Sequence, residues 1–201
     1  MAGAKIGIFG GSFNPVHLGH LVLAREAFWQ AKLNQVIFIP AKIPPHKKEG
    51  VISEQHRFQM LRLALKKYPE FSVSNIEFLR DKPSYTFDTV EELKLLYPHD
   101  ELYFITGADG LLEITGWYRG EELLKKIPII AVSRAGVSKE VFLNQVQYLK
   151  NRYRAQIIVV EMPEIGISSS LIRQRIREKL PYSHLIPVEV YDYIVANNLY
   201  R

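Results

Sequence analysis

Two histidines three residues apart, His17 and His20, follow a glycine turn in the stretch GIFGGSFNPVHLGH, and a second polar stretch, ISSSLIRQR, lies near the other end of the chain. Imidazoles at this spacing share one face if the helix begins near Val16. A pair of them can hydrogen-bond a phosphate whose charge grows in a transition state. The same pair could ligate zinc, although helical zinc pairs usually stand four apart with a third ligand nearby. Surface histidines at a helix start are the plain alternative. The preceding Gly10–Gly11–Ser12 turn weighs against it, because glycine lets backbone N–H groups approach a ligand and a helix start presents unpaired N–H groups with a positive dipole end. The turn is neither a Gly-x-Gly-x-x-Gly fingerprint nor a P-loop. In the second stretch, Ser168, Ser169 and Ser170 open a helix and Arg173 falls in its first turn. An N-cap explains one serine. Hydroxyls, a helix N-terminus and a guanidinium together make a grip for a triphosphate.

Three further groups could serve the same site. Asp109 follows Gly107 at a strand end, where a carboxylate accepts hydrogen bonds from ribose hydroxyls; as a bare helix cap it would do the same for backbone N–H. Trp117 and Tyr118, in TGWYRG, could stack on a base or a pyridine ring, or simply fill a core. His46 and Lys47, in PPHKK, stand on a loop able to close over phosphates.

The elements that must position these residues alternate. Strands are expected at Lys5–Gly10, Gln35–Pro40, FSVS, Glu101–Gly107, PIIAVS and AQIIVVEM. Helices are expected at Leu18–Ala31, after Ser53, from Thr86 to Leu96, at EELLKKI, from Val137 to Asn151, in SSSLIRQRIREKL and in PVEVYDYIVANN. Alternation of this kind implies an α/β fold, a Rossmann-like doubly wound parallel sheet with helices on both faces. Residues 1–201 read as a single domain whose C-terminal part, from about 168, is helical. Ligands of such sheets lie beyond the carboxyl ends of the strands. That selects the loops Gly10–His20, Ala41–Ser53, Gly107–Trp117, Ser133–Gly136 and Glu161–Ser170.

Composition narrows the classes. The chain has no cysteine, which excludes disulfides and thiolate metal sites. The start, MAGAKIGIFGG, lacks the apolar run of a secretory signal, and no stretch approaches a membrane span, so a cytoplasmic protein with no membrane partner is expected. A net charge of +5 is spread over separate lysine and arginine clusters. Scattered clusters of this kind fit a solvated surface or, more sharply, a site for a small polyanion, whereas RNA binding would call for a contiguous basic face. A homo-oligomer stays open.

Taken together, His17–Leu18–Gly19–His20 and Ile167–Ser168–Ser169–Ser170–Leu171–Ile172–Arg173 resemble the two signatures of the nucleotidyltransferase superfamily. Within it, GIFGGSFNPVHLGH, IPPHK, SYTFDTVEEL, FITGADGLLEITGWYRGEELL and ISSSLIRQRI resemble, in order and over nearly the whole chain, the bacterial nicotinate mononucleotide adenylyltransferases. Asn14 stands where that family commonly has Asp, and Ser170 where Thr is common. The resemblance implies transfer of AMP from ATP to nicotinate mononucleotide, giving deamido-NAD and pyrophosphate, with Mg2+ carried mainly on the ATP phosphates and no dedicated protein metal ligands. It implies that His17 and His20 are catalytic at the phosphates. Gly10, Gly11, Ser12, Phe13, Gly107, Asp109, Ile167, Ser168, Ser169 and Arg173 would bind ATP, Gly107 and Asp109 at its ribose. Trp117 would stack on the pyridine, backbone amides near Thr86 and Tyr118 would receive its carboxylate, and His46 and Lys47 would assist at the phosphates of the substrates. A phosphopantetheine adenylyltransferase of the same fold, or a nucleotide- or RNA-binding module without turnover, are the alternatives.

Overall fold

A computed structural model describes residues 3–43, 50–133 and 136–201. His46 and Lys47 lie outside the described residues. Six strands form one sheet: β1 (Lys5–Gly11), β2 (Gln35–Pro40), β3 (Phe71–Val73), β4 (Glu101–Gly107), β5 (Ile129–Ser133) and β6 (Ile157–Glu161). Every neighbouring pair is parallel, and the order is β3-β2-β1-β4-β5-β6. The chain therefore winds outward from β1 in one direction and then jumps to β4 on the other side. The crevice beyond the carboxyl ends of β1 and β4 is the switch point where such sheets take ligands.

The strands read as near-continuous apolar runs because both faces of the sheet are covered. Side chains alternate across the pleat. Phe9, Val36, Phe38, Ile105, Ile130 and Val132 face one core, against α1 (Leu18–Gln30), α2 (Glu54–Leu65), α7 (Ser169–Arg177) and α8 (Val188–Ala196). Ile6, Ile8, Ile37, Ile39, Phe104 and Ala131 face the other, against α3 (Thr86–Leu96), α4 (Ala108–Glu113), α5 (Gly120–Lys126) and α6 (Lys139–Tyr153). Among the described residues no helix is long and apolar enough to cross a membrane.

Strand and helix bounds match the sequence reading closely, with two corrections. The segment Gly107–Trp117 is not a loop: it holds α4 and a 3-10 turn, Ile114–Gly116. Its cue was hidden because the helix is a single short piece capped by glycine. Gly110 within it is required, since a Cβ there would lie 2.3 Å from the Thr106 hydroxyl oxygen. The second correction concerns the histidines alone: α1 begins at Leu18, its expected start, and not near Val16 as a shared histidine face would need. His17 is its N-cap, in extended backbone, and not a residue of the helical face.

A close backbone approach fixes the turn that carries Trp117 and Tyr118. The N–H of Trp117 donates to the Ile114 carbonyl, and the N–H of Gly120 donates to the Trp117 carbonyl at 2.9 Å. A Cβ on Gly120 would sit 1.9 Å from the Ile114 carbonyl oxygen, a backbone atom that has nowhere to go. Gly120→Ala is therefore expected to destabilise the fold by roughly 1–3 kcal/mol, the usual cost of overpacking. Urea denaturation checks it: an unchanged midpoint would show that the turn relaxes freely.

Candidate active site

The end of β1 is bent sharply. Phe13 has φ 44°, a left-handed conformation that costs a non-glycine residue about 1–3 kcal/mol. Its ring holds it there, fully buried and packed edge-on against Phe9 and His20, with centroids 5.4 and 5.0 Å away. Three sets of hydrogen bonds then fix the turn from outside. Arg57, 1% exposed on the buried face of α2, donates to the carbonyls of Ser12, Ile52 and Lys42 at 3.0, 3.1 and 3.3 Å. Burial pushes its pKa down, and the nearby Glu54, Tyr200 and Glu77 partly offset this. Asn14 donates to the Gly50 carbonyl, and its Oδ1 accepts from the Ile52 N–H and the Tyr200 hydroxyl. From α7, the Ser169 hydroxyl donates to the Pro15 carbonyl at 2.9 Å and Arg173 Nη1 to the Asn14 carbonyl at 2.8 Å.

The two histidines form a stacked pair, ring centroids 3.7 Å apart and 26° from parallel. His17 is 3% exposed and lies behind His20. The His17 backbone N–H donates to His20 Nδ1 at 3.2 Å. An Nδ1 that accepts carries no proton, so the network assigns His20 the tautomer whose Nε2–H is a donor.

A cavity of about 370 Å³ opens at the switch point. It is lined by Gly10, Gly11, Ser12, Phe13 and His20 from the glycine turn and the start of α1, by Gly107 and Asp109 from the end of β4 and the start of α4, and by Glu77, Ser84, Tyr85, Thr86, Trp117 and Tyr118. The sequence-selected residues Gly10, Gly11, Ser12, Phe13, His20, Gly107, Asp109, Thr86, Trp117 and Tyr118 are thus brought together. Ile167, Ser168, Ser169, Arg173 and His17 are not among its lining residues. Ser168 is the N-cap of α7, its Oγ accepting from the Leu171 N–H. Arg173 and Ser169 bond to the carbonyls of the turn that follows β1, so the two motifs meet through backbone carbonyls. A wider hollow, about 790 Å³, lies between α7 and α8 and contains none of the sequence-selected residues.

Three polar residues escaped the sequence reading. Arg57 shares the buried stripe of α2 with Met60, Leu61 and Ala64, and a charge on an apolar stripe was the available signal. Glu77 and Thr89 are buried beside the aromatic end of the cavity, the Thr89 hydroxyl donating to Glu77 Oε1 at 2.5 Å. Burial pushes the Glu77 carboxyl above its usual range, against the pull of Thr89, Ser84 and Arg80. Among the described residues no three His, Cys, Asp or Glu side chains cluster closely enough to hold a metal ion.

The arrangement is similar to known proteins on three counts. The pattern of the cytidylyltransferase-like family matches residues 8–175. A nicotinate-nucleotide adenylyltransferase of Bacillus subtilis (strain 168) is 42% identical over 198 residues, 98% of this chain and 98% of its own length. A probable nicotinate-nucleotide adenylyltransferase of Lachnoclostridium phytofermentans is 39% identical over 98% of both chains. The solved structure of Plasmodium falciparum nicotinic acid mononucleotide adenylyltransferase complexed with NaAD superposes with a TM-score of 0.80, covering 98% of this chain and 97% of that one. At 21% identity that likeness speaks for the fold.

The Tyr200 hydroxyl bond gives a pH prediction. Burial raises its pKa above the ordinary tyrosine value of 10.0, with Arg173 and Arg57 pulling the other way. Above pH 10 the unfolded chain loses this proton while the folded chain keeps it, so stability falls as pH rises. Tyr200→Phe should cost about 1 kcal/mol at neutral pH for the lost bond to Asn14. It should also flatten the decline from pH 10 upward, read from urea midpoints at pH 7 and 10.5. An alkaline decline as steep as that of the wild type would refute the assignment.

Proposed function

The chain belongs to the cytidylyltransferase-like family and, within it, to the nicotinate-nucleotide adenylyltransferases, and from that premise we infer that it transfers AMP from ATP to nicotinate mononucleotide, giving deamido-NAD and pyrophosphate in NAD biosynthesis. One observation carries this reading: one cavity is lined both by the glycine turn with His20 and by the aromatic pair Trp117 and Tyr118.

In this reading a phosphate oxygen of nicotinate mononucleotide attacks the α-phosphorus of ATP, and the bond from that phosphorus to the bridging oxygen of the β-phosphate breaks. The nucleophile is already ionised at neutral pH, so no general base is needed, and catalysis reduces to alignment and charge stabilisation. The His20 Nε2–H donates to the α-phosphate as negative charge accumulates there. His17, stacked behind it, fixes the ring and shares the charge. Backbone N–H groups at Gly10–Phe13 bring donors to the phosphates. Ile167, Ser168, Ser169 and Arg173 hold the triphosphate, Arg173 with the donors left beside its bond to Asn14. Gly107 and Asp109 take the adenosine ribose. Trp117 stacks on the pyridine, and backbone amides at Thr86 and Tyr118 receive its carboxylate. Thr86 opens α3, whose N-cap Tyr85 makes no side-chain capping bond, so the dipole end there suits an anion. His46 and Lys47 are assigned to the phosphates of the substrates. ATP chemistry of this kind uses a divalent cation, Mg2+ in our reading, held mainly by phosphate oxygens and water, where it neutralises charge on the phosphates. We place the reaction in the cytoplasm, with small-molecule substrates and no nucleic acid.

Pyrophosphate release from ATP, measured with nicotinate mononucleotide, nicotinamide mononucleotide and phosphopantetheine in turn, tests the acceptor. The nicotinate compound should be fastest, and turnover with phosphopantetheine alone would overturn the reading. His20→Ala should raise the barrier by roughly 2–4 kcal/mol, the size of one lost transition-state donor, while the circular dichroism spectrum is unchanged. Wild-type turnover in that variant would remove His20 from the chemistry.

A further inference from the structure

Among the described residues, Glu77 is the one charged side chain of the cavity wall that the reaction above leaves unused. It stands in the 3-10 turn Ile76–Leu79 that follows β3, is 6% exposed, and lines the cavity together with Ser84, Thr86, Trp117 and Tyr118. Its two oxygens are treated differently. Oε1 accepts from the Thr89 hydroxyl at 2.5 Å, and that hydroxyl accepts from Arg80 Nη2 at 2.7 Å. Arg80 Nη2 lies 3.8 Å from Oε1, and Arg80 Nε 3.4 Å from Glu92 Oε1. Oε2 is buried with no hydrogen-bond partner among the described residues. A carboxylate serving only as a structural ion pair would be served at both oxygens. A buried one left unserved costs free energy until something donates to it.

We propose that Glu77 determines acceptor specificity by taking, at Oε2, a hydrogen bond from a ribose hydroxyl of the acceptor nucleotide. This rests on the reading that the acceptor is nicotinate mononucleotide. Its donor inventory decides which group is taken. The phosphate and the pyridine carboxylate are ionised at neutral pH and bring acceptors only, so the two ribose hydroxyls are the donors left. A nicotinate carboxylate set against Oε2 would be repelled. An amide would be attracted, so a Glu77 facing the ring substituent would favour the wrong acceptor. Thr89 serves Oε1 directly and Arg80 backs that hydroxyl, so these contacts hold Oε1, while Ser84 stands close to the carboxyl as a whole.

The test compares nicotinate mononucleotide with its 2′-deoxy and 3′-deoxy analogues on the wild type and on Glu77→Gln, which retains an oxygen for Thr89. In the wild type, one analogue should lose about 10–100-fold in kcat/KM, the range for a hydrogen bond to a charged group. The loss should appear in the acceptor KM and leave the ATP KM in place. In Glu77→Gln the same analogue should lose less than about threefold relative to its parent. An equal loss in both proteins, or none in the wild type, overturns the proposal. So does a Glu77→Gln enzyme whose only change is in acid-against-amide preference, because Oε2 would then face the ring. Wild-type turnover of the parent acceptor separates the two readings. Without it the functional reading fails and takes this one with it, whereas turnover with an unchanged deoxy penalty sinks this one alone.

Discussion

A buried cation holds the glycine turn of the site in place. The Arg57 guanidinium is out of water and gives its N–H groups to carbonyls from the end of β1, the start of the β2–α2 connection and its close. Desolvating a guanidinium is costly, and the arrangement is stable only while all three acceptors are in place. That requirement makes the three segments one object. Asn14 repeats the logic with neutral groups, joining the Gly50 carbonyl, the Ile52 N–H and the Tyr200 hydroxyl. Held from so many directions, Phe13 can keep a backbone conformation that an isolated turn would abandon.

From that fixed end the cavity's chemistry changes along its length. Backbone donors and an imidazole with an assigned Nε2–H lie at one extreme, and the stacked rings of Tyr85 and Tyr118, 4.4 Å apart, with Trp117 beside them, at the other. In the proposed reading, such a wall suits a ligand that is anionic in one part and flat in another. The parallel sheet supplies the spacing, because β1 and β4 are hydrogen-bonded neighbours whose carboxyl ends carry the two halves of the wall.

Most of the fold was legible because its signals are local. Apolar runs at β1, β2 and β4 and the helical spacing of α1 and α3 follow from burial alone, and their bounds agree with the structure to within a residue or so. α4 was not legible, since a six-residue helix with a glycine inside and no polar cap carries little periodic signal. The site was legible where a residue type announces its chemistry: the glycine turn, His20, Asp109 and Trp117 all border the cavity. It was less so where a role depends on a distant partner. His17 reads as a twin of His20 if the helix begins near Val16, yet α1 begins at Leu18 and leaves His17 as the N-cap, stacked on the ring it resembles. Arg57 and Glu77 depend on acceptors and donors from other segments, and periodicity reports only that such positions are buried.

The bonds from Ser169 and Arg173 to the Pro15 and Asn14 carbonyls join the first loop of the chain to nearly its last helix. During synthesis the glycine turn is made early, but the groups that clamp it arrive only after some 150 further residues, an interval set by the |i−j| of 154 and 159 for these two bonds. A nascent chain still lacking them can have its central strands in place and no finished nucleotide pocket. A ligand of the cavity, where it binds, then stabilises chains that have reached α7 more than chains that have not.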